Sequence, residues 1–427
     1  MKIEVIKRDG RKVPFKKNLI MNAIKAAGME VYAKDFEALD RFLFIASYMT
    51  DDIVLSIKRK LFEHHDRSID VETIQDIVEA ELLESDYPKV AQAYIRYRQK
   101  RTDERQKASE IFQLVKEKLE ASNVVNQNAN VDEHSFGGRA GEAKNAVLKD
   151  YALRYCMSPM SRSNHENNEI YIHDLDSYAV GMHNCLSIPF DDLLAKGFTT
   201  RQTDVRPAKS VNTAMQLVAV IFQLQSLMQF GGVSATHLDW TMTPYVRLSF
   251  YKHFNTGLKF LYDDKVPSLK MSDDEVRKTS IDSDMYKEHS KAYDYAMDMT
   301  TKETYQAIEG LYHNLNTLQS RSGNQLPFTS INYGTCTLVE GRMAIKALLD
   351  VSIKGIGKLY RTPIFPCGIF QYMKGVNDKP GTPNYDLFRL ALKSTSKRLY
   401  PNYCNVDWSN NKGYDRNDPR TYTATMG

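Results

Sequence analysis

From about residue 122 onward, short strand-like runs alternate with long amphipathic stretches, and this alternation restricts the fold more than any other feature. Residues 170–172, 185–188, 328–333, 363–370 and 405–408 read as strands. Between them, residues 142–155, 210–229, 244–254, 294–316 and 384–400 carry apolar side chains at helical spacing. Gly137, Gly138 and Gly141 precede the first of these helices, residues 123–130 read as a polar loop, and Gly231-Gly232 closes the helix over 210–229. Strands separated by helices predict an α/β architecture, of which a barrel is one form.

Residues 1–100 have a different texture and predict a separate, mainly helical unit. Residues 3–7 and 12–15 read as a hairpin turning at Asp9-Gly10. Leu19, Ile20, Ala23 and Ile24 share one helical face, and a second helix is expected over residues 51–64. A third starts after Asp70, whose carboxylate is placed to cap it, and a fourth runs from Pro88 to about Arg98. The charge-dense residues 96–107 continue as an exposed helix into residues 111–119 and mark the domain boundary, giving units 1–100 and 101–427.

The bulk numbers exclude several classes. The longest apolar run, Leu217 to Phe222, is far too short to span a bilayer, and residues 1–20 show no secretion signal. The five cysteines, Cys156, Cys185, Cys336, Cys367 and Cys404, are widely spaced without a CxxC pair, so neither a disulfide framework nor a metal site is expected in this segment. A cytoplasmic location follows, and no membrane or nucleic-acid partner is assigned; the net charge of +4 by itself argues neither way on nucleic acid. Cys156, Cys336, Cys367 and Cys404 sit in apolar or strand contexts that suit small buried thiols.

Lys7-Arg8-Asp9-Gly10-Arg11 places cations on a tight turn, where they suit a triphosphate or simply face solvent. Together with Ile74-Gln-Asp-Ile-Val-Glu79 and Val90-Ala-Gln-Ala-Tyr-Ile-Arg-Tyr-Arg98, this turn resembles the ATP-cone, the regulatory nucleotide-binding domain of ribonucleotide reductases. The resemblance implies allosteric control by ATP and dATP. Lys7 and Arg8 are then the phosphate contacts, Val5 lines the base pocket, and Ser68 and Lys100 are further nucleotide-binding candidates. Leu19 stands where such domains usually carry Lys, with Lys16 or Lys17 as the available substitutes.

Cys185 lies near His173, His183, Asp174 and Asp176, a set compatible with a nucleophile and base, with a redox thiol, or with an inert core cysteine. The segments His173-Asp-Leu-Asp, Gly181-Met-His-Asn-Cys-Leu186, Asp204-Val-Arg-Pro207, Thr213 to Phe222, Gln229-Phe-Gly-Gly232 and Ser330-Ile-Asn-Tyr-Gly334 follow one another as in the anaerobic, glycyl-radical ribonucleoside-triphosphate reductases. This resemblance implies the first part of a ten-stranded α/β barrel after the ATP-cone, acting on a ribonucleoside triphosphate. Cys185 would be the redox cysteine under the ribose, with His173 its neighbour and Met426 a third catalytic candidate. The helix over 210–229 would lie at a homodimer interface, near a deoxynucleotide specificity effector.

In that family Asp-Pro-Arg-Thr and then Met-Gly precede the cysteine whose thiyl radical abstracts the ribose 3′ hydrogen. Here Asp418-Pro-Arg-Thr421 and Met426-Gly427 end the sequence. The resemblance places that cysteine, the radical glycine and its zinc site in a missing C-terminal half, and the glycyl radical is installed by a radical S-adenosylmethionine activase. A shortened chain, an interrupted gene with an intein, or a split gene each fits this ending, and residues 1–427 alone are expected to be inactive. Formate and a thiol protein are both open as reductant. The rival reading is a nucleotide-binding sensor or dimerisation module without chemistry.

Overall fold

The structure, a computed structural model, describes residues 3–8, 10–120, 135–181, 183–229, 231–262, 266–321, 324–409 and 414–422. The chain divides into Met1–Gln113 and Leu114–Gly427.

In the first unit β1 (Glu4–Ile6) and β2 (Lys12–Pro14) pair antiparallel with Val5 opposite Val13, as the hairpin reading requires. Four helices follow: α1 (Lys17–Val31), α2 (Phe36–Glu63), α3 (Val71–Glu84) and α4 (Pro88–Glu120). Between α2 and α3 the strand β3 (Ser68–Asp70) adds to β1 in parallel, an element the sequence reading missed. The second helix is far longer than residues 51–64, because Asp35 caps it by accepting the Ala38 N–H at 3.0 Å. Asp70 caps α3 as expected, accepting the Thr73 N–H at 2.8 Å. Ile24, Phe42, Ile53, Ile57, Val78, Leu82 and Val90 are buried together, each worth about 1.5–3 kcal/mol when removed from water. Gly28 is required where α1 meets α2, since a Cβ there would lie 2.0 Å from the Phe42 ring.

The second unit opens with α5 (Phe136–Tyr151), capped by Ser135. Gly138 and Gly141 lie inside this helix rather than before it, and Ala152–Cys156 continue it as a π turn. Then come β4 (Leu186–Ile188), α6 (Val211–Ser226), β5 (Val233–Ala235), α7 (Leu238–Leu261), α8 (Ser290–Thr317), β6 (Thr329–Tyr333), α9 (Val339–Lys354), β7 (Cys367–Tyr372), α10 (Tyr385–Arg398) and β8 (Asn402–Asn405). Strands β4 to β8 lie side by side in sequence order and all run parallel, with Val233 between Leu186 and Thr329. The expected α/β architecture is therefore present, its sheet parallel throughout, and every residue of β6 is buried.

Three expectations need correction. Residues 170–172 form no strand; instead the Ile172 N–H donates to His165 Nδ1 at 3.2 Å. The last strand lies at Asn402–Asn405, and Val406–Ser409 form a helical turn where a strand was expected. Cys156 is exposed, whereas Cys336, Cys367 and Cys404 are buried as expected. Among the described residues no helix is long and apolar enough to cross a membrane.

Candidate functional site

The first unit holds a cavity of about 140 Å³ between the hairpin, α1 and α3. Its walls are apolar, from Val5, Val13, Phe15, Ile20, Ile74 and Tyr94, while Lys7, Lys16 and Gln75 bring polar groups to it. Such a cavity suits a flat base with cations for phosphates outside it. Leu19 also lines it and is 58% exposed, so the departure from the usual Lys sits at the cavity itself.

Arg8 is placed differently from Lys7. Its guanidinium pairs with Glu72 and donates to Gln75 Oε1 at 3.0 Å. Glu72 is shared, because its other oxygen meets Arg98 Nη2 at 2.9 Å. Arg98 also holds Asp76 at 2.8 Å and Glu79 at 3.0 Å, so one cation on α4 gathers three carboxylates of α3. Hydrogen bonding from Arg98, then from Arg8, holds the Glu72 carboxyl below its ordinary range. Ser68 lies on β3 opposite Glu4, and Lys100 is exposed on α4; neither lines the cavity. The sequence reading missed Glu72, Gln75 and Arg98 as a network; Gln75 and Arg98 lie in the two segments it singles out, whereas Glu72 lies just before the first of them.

In the second unit Cys185 stands at the entrance of β4 and is exposed. The Gly232 N–H donates to its sulfur at 3.3 Å, and the thiol lies 3.5 Å from Asn184 Oδ1. This approach depends on Gly231, where a Cβ would stand 1.6 Å from the Asn184 carbonyl oxygen. Gln229, buried beside them, donates to the Gly232 carbonyl at 2.7 Å and fixes the turn into β5. His183 pairs with Gln229 as a parallel bridge on the same border.

Arg321, which sequence reasoning missed, shares this edge of the sheet. It lies on the segment leading into β6, its guanidinium 3.9 Å from the centre of the Phe328 ring. Burial lowers its pKa, while the charges of Asp174, Asp176 and Cys185 act in the opposite direction. Its Nη1 is buried without a hydrogen-bond partner among the described residues. The only signal in the sequence was an isolated cation in a Ser, Gly and Asn-rich stretch before a strand.

His173 is not brought against the thiol. Its side chain is 76% exposed, paired with Asp174, and its ring meets Tyr171 edge-on at 6.1 Å. Met426 lies outside the described residues.

At the opposite ends of the strands a second cavity, about 290 Å³, is lined by Asp191, His237, Trp240, Arg277, Asp418 and Arg420. His237 Nε2 lies 2.8 Å from Asp191 Oδ2, and Thr241 donates to the other carboxylate oxygen at 2.6 Å. Burial raises the Asp191 pKa, but these partners outweigh it and leave the group below its ordinary value.

Residues 127–427 match the family described as anaerobic ribonucleoside-triphosphate reductase, and residues 3–103 match the ATP cone domain. The chain belongs to the anaerobic ribonucleoside-triphosphate reductase family. It is 33% identical over 407 residues to the anaerobic ribonucleoside-triphosphate reductase of Haemophilus influenzae, covering 94% of this chain and 52% of that protein. The reductase of the same name from Escherichia coli K12 is 31% identical over 406 residues, covering 94% and 51%. The chain thus spans about half the length of the curated relatives it matches. A solved anaerobic ribonucleotide reductase from Thermotoga maritima, in complex with dATP and CTP, aligns at 15% identity and a TM-score of 0.42, covering 69% of this chain and 47% of that one.

Proposed function

We propose that the chain is the N-terminal portion of an anaerobic reductase that converts ribonucleoside triphosphates to deoxyribonucleoside triphosphates under ATP and dATP control. One observation carries this reading. Cys185 presents an exposed thiol at the entrance of the first parallel strand, held by the Gly232 N–H, inside the region that matches the reductase family.

Replacing the ribose 2′-hydroxyl by hydrogen takes two electrons and two protons and releases water. The glycyl radical of this family, when present, supplies the one-electron oxidation that starts the reaction. The residues of this chain hold what the later reduction needs. Cys185 offers a hydrogen on sulfur, and Arg321, on the segment leading into β6, adds a positive charge at the same border of the sheet, complementary to a triphosphate substrate. His173 and Met426 complete the proposed catalytic set. This proposal assigns the radical glycine, its zinc site and the cysteine that follows Met-Gly in the family to the C-terminal half of the relatives. A radical S-adenosylmethionine activase, a homodimer carrying a deoxynucleotide effector, and a cytoplasmic setting belong to the same proposal.

In the first unit Val5 and the other apolar walls take the base, Lys7 and Arg8 take phosphates, and Ser68 and Lys100 are further nucleotide contacts away from the cavity wall. The 1–100 and 101–427 division assigns regulation to one part and chemistry to the other. The test is an anaerobic assay with activase and ribonucleoside triphosphate. The chain extended by the C-terminal half of its relatives should form deoxyribonucleotide, and residues 1–427 alone should not. Turnover by residues 1–427 alone would overturn the assignment of the radical groups to the other half.

A further inference from the structure

Arg8 stands at the hairpin turn, yet it is not free. Its charge is committed to Glu72, in the first turn of α3, and to Gln75 one turn later. Both side chains of the pair are partly exposed, at 37% for Arg8 and 46% for Glu72, so an incoming anion has access to the cation. Any phosphate reaching Arg8 must displace the Glu72 carboxylate and then lie beside its negative charge. Glu72 does not become unpaired in that exchange, because its second oxygen already rests on Arg98 at 2.9 Å. Arg98 is only 18% exposed and is held in place by Asp76 and Glu79.

We propose that Glu72 is a positioning residue that sets the unit's affinity for a triphosphate, by competing with the ligand's phosphates for Arg8. Arg98 supplies the counter-charge that allows Glu72 to let go. This rests on the reading of Arg8 as a phosphate contact. The pattern has a directional consequence. Removing the charge of Glu72 frees Arg8 and tightens triphosphate binding, although it deletes a native ion pair. Removing Arg98 leaves Arg8 as the remaining cation for Glu72, holds that pair more firmly and weakens binding. A residue with a purely structural role would not produce opposite signs.

The experiment is titration calorimetry of ATP into the full chain at fixed ionic strength, with the Arg8→Ala variant identifying the heat that belongs to this site. Arg8→Ala should weaken ATP about tenfold. Glu72→Gln should tighten it about three- to fivefold, and Arg98→Gln should weaken it about threefold. The double variant Glu72→Gln/Arg98→Gln should return to the affinity of Glu72→Gln, because Arg98 acts only through Glu72. If Glu72→Gln melts below the assay temperature, Glu72→Asp keeps the charge but falls short of Arg8, and should also tighten ATP. Weaker binding by Arg8→Ala together with unchanged or weaker binding by Glu72→Gln overturns the competition alone. No effect of Arg8→Ala overturns the phosphate reading and the competition with it.

Discussion

The amide of Gly232 points at the sulfur of Cys185 from 3.3 Å, so the strand that follows the Gly-Gly turn holds the thiol of the strand beside it. Two motifs separated by more than forty residues in sequence are thereby one piece of local chemistry. The sulfur is fixed at a sheet border, with its exposure intact and a backbone donor aimed at it.

Gly231→Ala should disturb that arrangement without touching Cys185. The added methyl would meet the Asn184 carbonyl at 1.6 Å, so the 184–186 segment must shift. A loss of about 1–3 kcal/mol is expected in denaturant melts, as for other overpacked sites. The rate of alkylation of Cys185 should change in parallel.

Asp239 supports the opposite ends of the strands. It is fully buried and accepts the N–H groups of Gly334 and Cys336, each at 2.9 Å, which fixes the turn leaving β6. Burial raises its pKa despite those two donors. Asp239→Ala should cost about 1–3 kcal/mol by stranding them, and Asp239→Asn, which keeps an acceptor, should cost less. Thermal melts of both variants check the order.

Leu19→Lys should improve nucleotide binding. Leu19 lines the first unit's cavity and is mostly exposed, so a Lys there extends over the phosphate end without burying its charge. An increase in ATP affinity of about two- to fivefold is expected by calorimetry.

Acid should destabilise the second unit. Burial raises the pKa values of both Asp191 and Glu303, but hydrogen bonding and charge from His237 and His253 outweigh it and leave both below their ordinary values of 3.8 and 4.5. Carboxyls with lowered folded-state pKa values add stability that is present above those ordinary values and lost as pH falls through the lower folded ones. Urea melts should therefore show a falling midpoint as pH drops from 4.5 toward about 3.

Much of this was legible because periodicity carries it. The hairpin at Val5 and Val13, the Asp70 cap and the strand after Cys185 follow from local sequence. The misses have specific causes. Helix α9 was not anticipated because Ile345, Ala347, Leu348, Leu349 and Val351 are buried around more than one face, which erases the amphipathic pattern. Strand β5 is three residues long and Ser234 lies at its centre, so it has no apolar run to notice. Strand β3 exists through its parallel pairing to β1, a long-range relation that no local window contains. Of the candidate site residues, motifs in the sequence point to Cys185 and Lys7. The Arg321 position and the Glu72 to Arg98 link depend on segments that meet only in the folded chain.

The most direct test of the account is deoxyribonucleotide formation by the chain extended with the C-terminal half of its relatives, charged by an activase, with Cys185 replaced by Ser. Cys185→Ser should abolish sustained turnover while leaving ATP binding by the first unit unchanged. Undiminished turnover by Cys185→Ser would contradict it and reduce Cys185 to a structural thiol.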